Sequence, residues 1–358
     1  MLGLADVAVR HKDLTAAGGY LKQALAAQPN NPAVEASWGH FLTVQKQYPQ
    51  AEAFLKKAVQ AHPNDARVNI ELANLYMLGL RKPQHAIPFY RQALKIDPNH
   101  IRAHYALANA LAVTGQYESA VQEMQAAVRL APHDAVMQQS LGVLYESHRE
   151  YDKALGAYAQ ALHDQPGYFP AHVNRGGIFL QQGKPGQALE EFKQATHIAP
   201  KDPAGYLGMG QADEATSQPD AAREAYKWAF QADPRFAPAY NNLAWLDAQQ
   251  KQHLDEALAS AQKAVALEPK NANYLDTLAW VQHVRGSNAE ALKTLAQAAR
   301  QNPRNAEVIY HMGVINQEIG NKREAAGAFQ KALGMGTGFS EQNDARQRLA
   351  QVQSPSSR

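Results

Sequence analysis

Residues 101–132, IRAHYALANALAVTGQYESAVQEMQAAVRLAP, read as two helices joined by a turn. His104, Leu107, Ala108 and Leu111 recur at helical spacing, Gly115 interrupts the run, and Ala120, Val121, Met124, Ala127 and Val128 resume it as far as Pro132. Gly183, Gly286 and Gly320 hold the same place in other segments, where a helix end favours a residue that tolerates positive φ. Outward from this stretch the pattern repeats. Prolines stand at Pro29, Pro63, Pro98, Pro132, Pro166, Pro200, Pro234, Pro269 and Pro303, at intervals of 34 or 35 residues. Such a period marks a solenoid, in which no hairpin buries its apolar face alone and neighbours must stack.

Two alanine series keep the same period. Ala24, Ala58, Ala93, Ala127, Ala161, Ala195, Ala229, Ala264 and Ala298 each stand five residues before a proline, and Ala332 continues them. Ala17, Ala51, Ala86, Ala120, Ala154, Ala188, Ala222, Ala257, Ala291 and Ala325 precede them by seven. Small residues at Gly39, Ala73, Ala108, Gly142, Gly176, Gly210, Ala244, Ala279 and Gly313 mark close helix crossings. Leu55, Tyr90, Met124, Tyr158, Phe192, Tyr226 and Phe329, four residues after the first alanine of their units, fill the gaps.

A small residue, a large apolar residue, alanine, an aromatic or aliphatic residue, alanine and then proline on this period resemble the tetratricopeptide repeat, from Met1 to about Thr337. The resemblance implies an all-α fold: a right-handed superhelical solenoid of about ten helix hairpins over residues 1–338, then a C-terminal capping helix over 339–353 and a disordered tail over 354–358. It further implies a non-enzymatic protein whose first helices line a concave groove for a protein or peptide partner. Leu4 and Ala5 lie so close to the start that the first unit reads as truncated, with sequence expected upstream. Ala345, Leu349 and Val352 on a polar-faced helix read as a natural end.

Composition narrows the function classes. Lys plus Arg number 35 against 33 Asp plus Glu, a net charge of +2, which supplies no field for a polyanion, so no nucleic-acid partner is expected. No stretch approaches the roughly 18 to 20 apolar residues that span a bilayer, and the first residues lack the sections of a signal peptide. With no cysteine, disulfides, thiolate metal sites and a cysteine nucleophile are excluded. His100 and His104 are the nearest approach to a metal pair, without a third ligand nearby, and Gly334, Gly336 and Gly338 follow a helix and lack the lysine of a phosphate loop. No catalytic constellation, cofactor site or metal site is read.

The groove offers two candidate contact sets. In the register set by the alanines, Trp245 and Trp280 are equivalent and should line the concave side with Asn241, Asp276 and Tyr310 on the same wall, unless each indole packs as core. Arg67 with Asn74 and Arg102 with Asn109, each pair seven apart, could hold a carboxylate. This second set is similar to the carboxylate clamp of co-chaperone tetratricopeptide proteins, but the clamp's lysine places hold Ile70 and Tyr105. One place, apolar in Leu42, Tyr76, Leu111, Tyr145 and Phe179, turns polar in Asp213, Asp247, Gln282 and Asn316. A wet rotated helix, a polar interior used for binding or a looser end would each account for it.

The strings Asn241-Asn242-Leu243-Ala244-Trp245-Leu246 and Leu275-Asp276-Thr277-Leu278-Ala279-Trp280 resemble bacterial envelope tetratricopeptide proteins of exopolysaccharide secretion and PEP-CTERM systems. That resemblance implies a scaffold for envelope assembly or secretion, periplasmic or envelope-associated if an export signal lies upstream and cytoplasmic otherwise. The alternatives are a cytoplasmic adaptor that grips acidic peptides through Arg67, Asn74, Arg102 and Asn109, and the substrate-recruiting part of a larger enzyme such as a glycosyltransferase.

Overall fold

The computed structural model describes residues 1–11, 13–336 and 338–354. Residues 355–358, most of the segment expected to be a disordered tail, lie outside them. The described residues are helical apart from short turns and contain no strand. They form two compact units, Met1–Asn174 and Arg175–Arg358.

In the first unit the hairpins begin with Leu2–Arg10 and Leu14–Ala27 and end with Ala135–Ser147 and Tyr151–Asp164. In the second they run from Pro203–Ala215 and Pro219–Ala232 through Ala237–Gln250, Leu254–Leu267, Ala272–Val284 and Asn288–Gln301 to Ala306–Glu318 and Lys322–Gly334, with a closing helix at Gln342–Gln353. Each first helix that follows a repeat proline starts three residues after it. Its cap is often an Asn or Asp two residues after that proline: Asn31, Asp65, Asp134, Asp202, Asn271 and Asn305 each accept from a backbone N–H of the first turn. His100 does the same through Nδ1, so it serves as a helix cap. His104 is bonded to Glu123 at 2.6 Å and to the carbonyl of Pro98 at 2.9 Å.

Within a hairpin the turn residue five before the first alanine takes a left-handed conformation, at Gly115, Gly183, Gly286 and Gly320 and also at Lys46, Arg81, Arg149 and Ser217. The two 35-residue units absorb their extra residue differently. One inserts a π-helical turn, Leu75–Gly79, after Ala66–Asn74, and the other places both Lys251 and His253 in the left-handed region.

The small-against-large crossing is present in both units. A Cβ at Gly176 would lie 2.7 Å from the Phe192 ring, and one at Gly313 would lie 2.6 Å from Phe329. Gly39 faces Leu55, Gly142 faces Tyr158 and Gly210 faces Tyr226 in the same manner. The repeat alanines are buried, Ala161 completely. Ala161→Leu should therefore overpack and lower the unfolding free energy by about 1 to 3 kcal/mol, read as a shift in the urea midpoint. An unchanged midpoint would contradict the packing register.

The polar place in the second unit is neither wet nor loose. Asp213, Asp247 and Asn316 are buried. Asp247 accepts from Arg223 at 3.0 Å, Gln282 accepts from Thr294 at 2.9 Å, and Asn316 donates to the carbonyl of Met312 at 2.8 Å. Arg223 lies 24 residues before Asp247, the same offset that lets Glu52 accept from the Tyr76 hydroxyl at 3.0 Å in the first unit. Asp247, Gln282 and Asn316 thus replace an apolar or aromatic contact with bonds to an adjacent helix or to their own, while burial pushes the Asp213 carboxyl pKa up.

Candidate functional site

In the second unit the first helices of four consecutive hairpins, Pro203–Ala215, Ala237–Gln250, Ala272–Val284 and Ala306–Glu318, share one concavity of about 450 Å³. Its wall includes Asn241, Trp245, Asp276, Glu307 and His311, and Ser340 and Glu341 before the closing helix complete it. Repetition explains the convergence: equivalent places on stacked hairpins fall side by side, so residues 34 or 35 apart in sequence meet in space.

His311 is the centre of this wall. It is 6% exposed, and its Nδ1 lies 2.9 Å from both oxygens of Asp276, itself 8% exposed. The imidazole ring lies 4.7 Å from Trp280 and 5.9 Å from Trp245, and the two indoles are 6.2 Å apart. Burial pulls the His311 pKa down, but Asp276, Glu341 and Glu307 together carry it above the ordinary histidine value. Burial, with Glu341 and Asp276 as like charges, pushes the Glu307 carboxyl up.

A raised histidine pKa stabilises the fold fully below the unfolded value of 6.5, and the contribution disappears as pH rises through the folded value. The chain should therefore lose melting temperature from about pH 6.5 upward, and His311→Gln, measured by thermal melts at pH 6 to 9, should flatten that slope. Parallel pH profiles for the two proteins would contradict the buried charge pair.

The sequence-predicted residues separate. Asn241, Trp245 and Asp276 line the concavity. Trp280 is half-buried, its ring tilted against His311 behind them, and packed against the Ala244, Ala257 and Ala261 cluster. Tyr310 departs from the expected wall: it is 6% exposed, packs against Phe329 and Phe339, and gives its hydroxyl to Asp344 at 2.5 Å. The stack ends at this hairpin and the closing helix covers the place that Asp276 and Asn241 leave open one and two units earlier.

Arg67 and Arg102 meet in a concavity of the first unit, but Glu71 and His40 share it, 3.2 Å apart. Arg67 is paired with Asp65 at 2.7 Å, and the Oδ1 of Asn74 accepts from the Tyr90 hydroxyl at 2.7 Å. Asn109 is half-buried and does not line that concavity. The four residues therefore do not converge as a ready carboxylate clamp.

Two residues escaped the sequence reading. His311 is the residue after Tyr310, so the alanine register pointed one position short of it. Trp228, 44% exposed on Pro219–Ala232, stands edge-on to Tyr206 over a hollow bordered by Pro200 and Lys201. Its signal was a tryptophan on the outward side of a second helix.

Family models described as tetratricopeptide repeat match residues 8–69 and 77–144, and, for a second such model, 44–101, 140–203, 207–272 and 277–339. The chain belongs to the tetratricopeptide repeat family. It is 27% identical over 199 residues to a BBSome complex member BBS4 homolog of Drosophila melanogaster, covering 55% of this chain and 41% of the relative. It is 25% identical over 220 residues to the human protein O-mannosyl-transferase TMTC3, covering 57% of this chain and 24% of that protein. This tetratricopeptide repeat chain thus spans less than half the length of either relative. Among solved structures, the APC/C hetero-tetramer Cut9-Hcn1 has the same fold, with a TM-score of 0.59 at 14% identity over 98% of this chain and 75% of that chain. The repeat family serves chiefly as a scaffold for protein partners, and no helix among the described residues is long and apolar enough to cross a membrane.

Proposed function

We propose that this chain is a non-enzymatic scaffold that binds a protein or peptide partner along the first helices of its hairpins, with the concavity over Trp245 as a principal contact surface. The observation that carries this reading is a half-buried tryptophan at a wall shared by four consecutive first helices and set against a buried His311–Asp276 pair. An amphipathic aromatic on a rigid support is the kind of anchor on which interface energy concentrates. The relative named as a complex member and the similar fold in a hetero-tetramer agree with it. The finer assignment, to bacterial envelope assembly or secretion, rests on the parallel strings around Trp245 and Trp280.

Crosslinking and pull-down from the native organism, comparing the chain with Trp245→Ala shown by circular dichroism to be folded, tests the reading. A partner retained by the native chain should fall by about tenfold or more in the variant, the range of an interface anchor. Identical recovery of every partner would remove this surface from the proposal.

A second reading, that the array is the partner-recruiting part of a longer enzyme, is favoured by the likeness to a transferase of which it covers 24%. An acidic-peptide adaptor is the weaker reading, because Glu71 stands among the arginines that would have to grip it.

A further inference from the structure

The concavity over Trp245 has a charge that its surroundings do not balance. Glu214, Asp276, Glu307 and Glu341 line it, no lysine or arginine among the described residues does, and His311 is its one basic group among them. The whole chain carries a net charge of +2, so this is a local concentration of carboxylates. Burial raises the Glu214 and Glu307 carboxyls above their ordinary values, as expected where negative charges are held out of water without a counterion.

Independent of charge, hydrogen-bonding capacity in the wall is left unused. Asn241 Oδ1 and Glu341 Oε2 are out of contact with water and have no partner among the described residues, although both residues border the concavity. Both are acceptors, and an unsatisfied buried acceptor costs about 1 to 3 kcal/mol unless a donor arrives. His311 spends Nδ1 on Asp276, while its Nε2, on a side chain more than nine-tenths buried, makes no hydrogen bond to a described residue. Trp245 offers a half-buried indole at the same wall. Carboxylates, orphan acceptors and an indole face together suit a cation rich in N–H donors. The remaining imidazole N–H suits a carbonyl oxygen. An extended peptide carries both groups.

We propose that this concavity receives a cationic side chain, arginine or lysine, from an extended basic segment of the bound polypeptide. The inference rests on the reading of the chain as a scaffold for polypeptide and reverses the charge expected from Arg67 and Arg102. The cationic head lies among Glu307, Glu341 and Asn241 with its face toward Trp245, and His311 donates from Nε2 to a main-chain carbonyl of the same segment.

Isothermal titration calorimetry with four probes tests it: acetyl-Gly-Arg-Gly-Arg-Gly-amide, its lysine and glutamate counterparts, and the single residue acetyl-arginine-amide. The arginine peptide should bind the full chain, the glutamate peptide should not, and Glu307→Gln/Glu341→Gln should weaken the arginine peptide by about tenfold or more, the range of a charged hydrogen bond. Binding should also weaken as salt is raised from about 50 to 300 mM. The double variant keeps side-chain size and removes like charges, so it should fold, and circular dichroism checks this. Preference for the glutamate peptide, or arginine binding unchanged in the double variant, overturns the cationic site and leaves the scaffold reading standing. Binding of acetyl-arginine-amide as tightly as the pentapeptide supports the cation site and counts against polypeptide as its occupant. No binding of any cationic probe overturns the inference.

Discussion

Tyr226→Ala should destabilise the second unit by about 3 to 5 kcal/mol, the range for truncating a large aromatic in a core. Tyr226 is fully buried, stands where Gly210 leaves room for its ring, and clusters with Ala222, Leu243 and Leu246. Its hydroxyl donates to Glu214 at 2.5 Å, and Glu214 is a carboxylate whose pKa burial already raises. The alanine variant loses packing and strands that carboxylate together. Tyr226→Phe keeps the ring and should cost about 1 to 3 kcal/mol, the charge-assisted bond alone. Because stacked repeats unfold by neighbouring segments, hydrogen exchange should show the loss centred on Pro219–Ala232 and Ala237–Gln250. A change under about 1 kcal/mol for Tyr226→Ala would contradict the small-against-large crossing.

Arg223→Met should be comparably severe, about 3 to 5 kcal/mol near neutral pH, because it leaves a buried carboxylate without its counterion. Asp247 is 2% exposed, its Oδ2 already has no partner among the described residues, and burial holds its pKa above the ordinary value despite Arg223. Arg223 also reaches Glu256, which is solvent-exposed and contributes little. For an acid with a raised folded pKa, the protonated form is favoured in the native state. The penalty should therefore be least at acid pH, where Asp247 is protonated in both folded proteins, and grow as pH rises through the native protein's folded value, already above 3.8, toward the higher one that loss of Arg223 leaves. Arg223→Met/Asp247→Leu should recover most of the loss, since Leu42 and Leu111 hold the equivalent place in the first unit. Urea midpoints at about pH 4 and pH 7 for the three proteins check this. A double variant no more stable than Arg223→Met would show that Asp247 is needed for more than its charge pair.

The architecture was legible because its signals are local and repeated. Proline spacing, paired alanines and turn glycines each report backbone or close-packing requirements that recur from hairpin to hairpin. The π-helical turn at Leu75–Gly79 was not legible: the 35-residue interval announces an extra residue but not where the chain absorbs it. The polar places Asp213, Asp247, Gln282 and Asn316 stood out as anomalies, yet partners such as Arg223 and Thr294 lie on other helices, at distances in sequence that no helical period predicts. At the candidate site, register alone brought Trp245, Asn241 and Asp276 together. It failed for Tyr310, where the closing helix changes the neighbour, and it passed over His311, whose importance comes from the Asp276 carboxylate one repeat earlier.

The most direct test of the account is site-specific photo-crosslinking in the native organism. A photoreactive phenylalanine analogue replaces Gln249, which borders the concavity over Trp245, or Lys263, exposed on a second helix, or Trp228 on its outward side. The account predicts a discrete adduct with a polypeptide from position 249 that is absent from position 263 and competed by the arginine pentapeptide. Adducts from 228 or 263 with none from 249 would contradict the claim that the first helices of the second unit carry the partner.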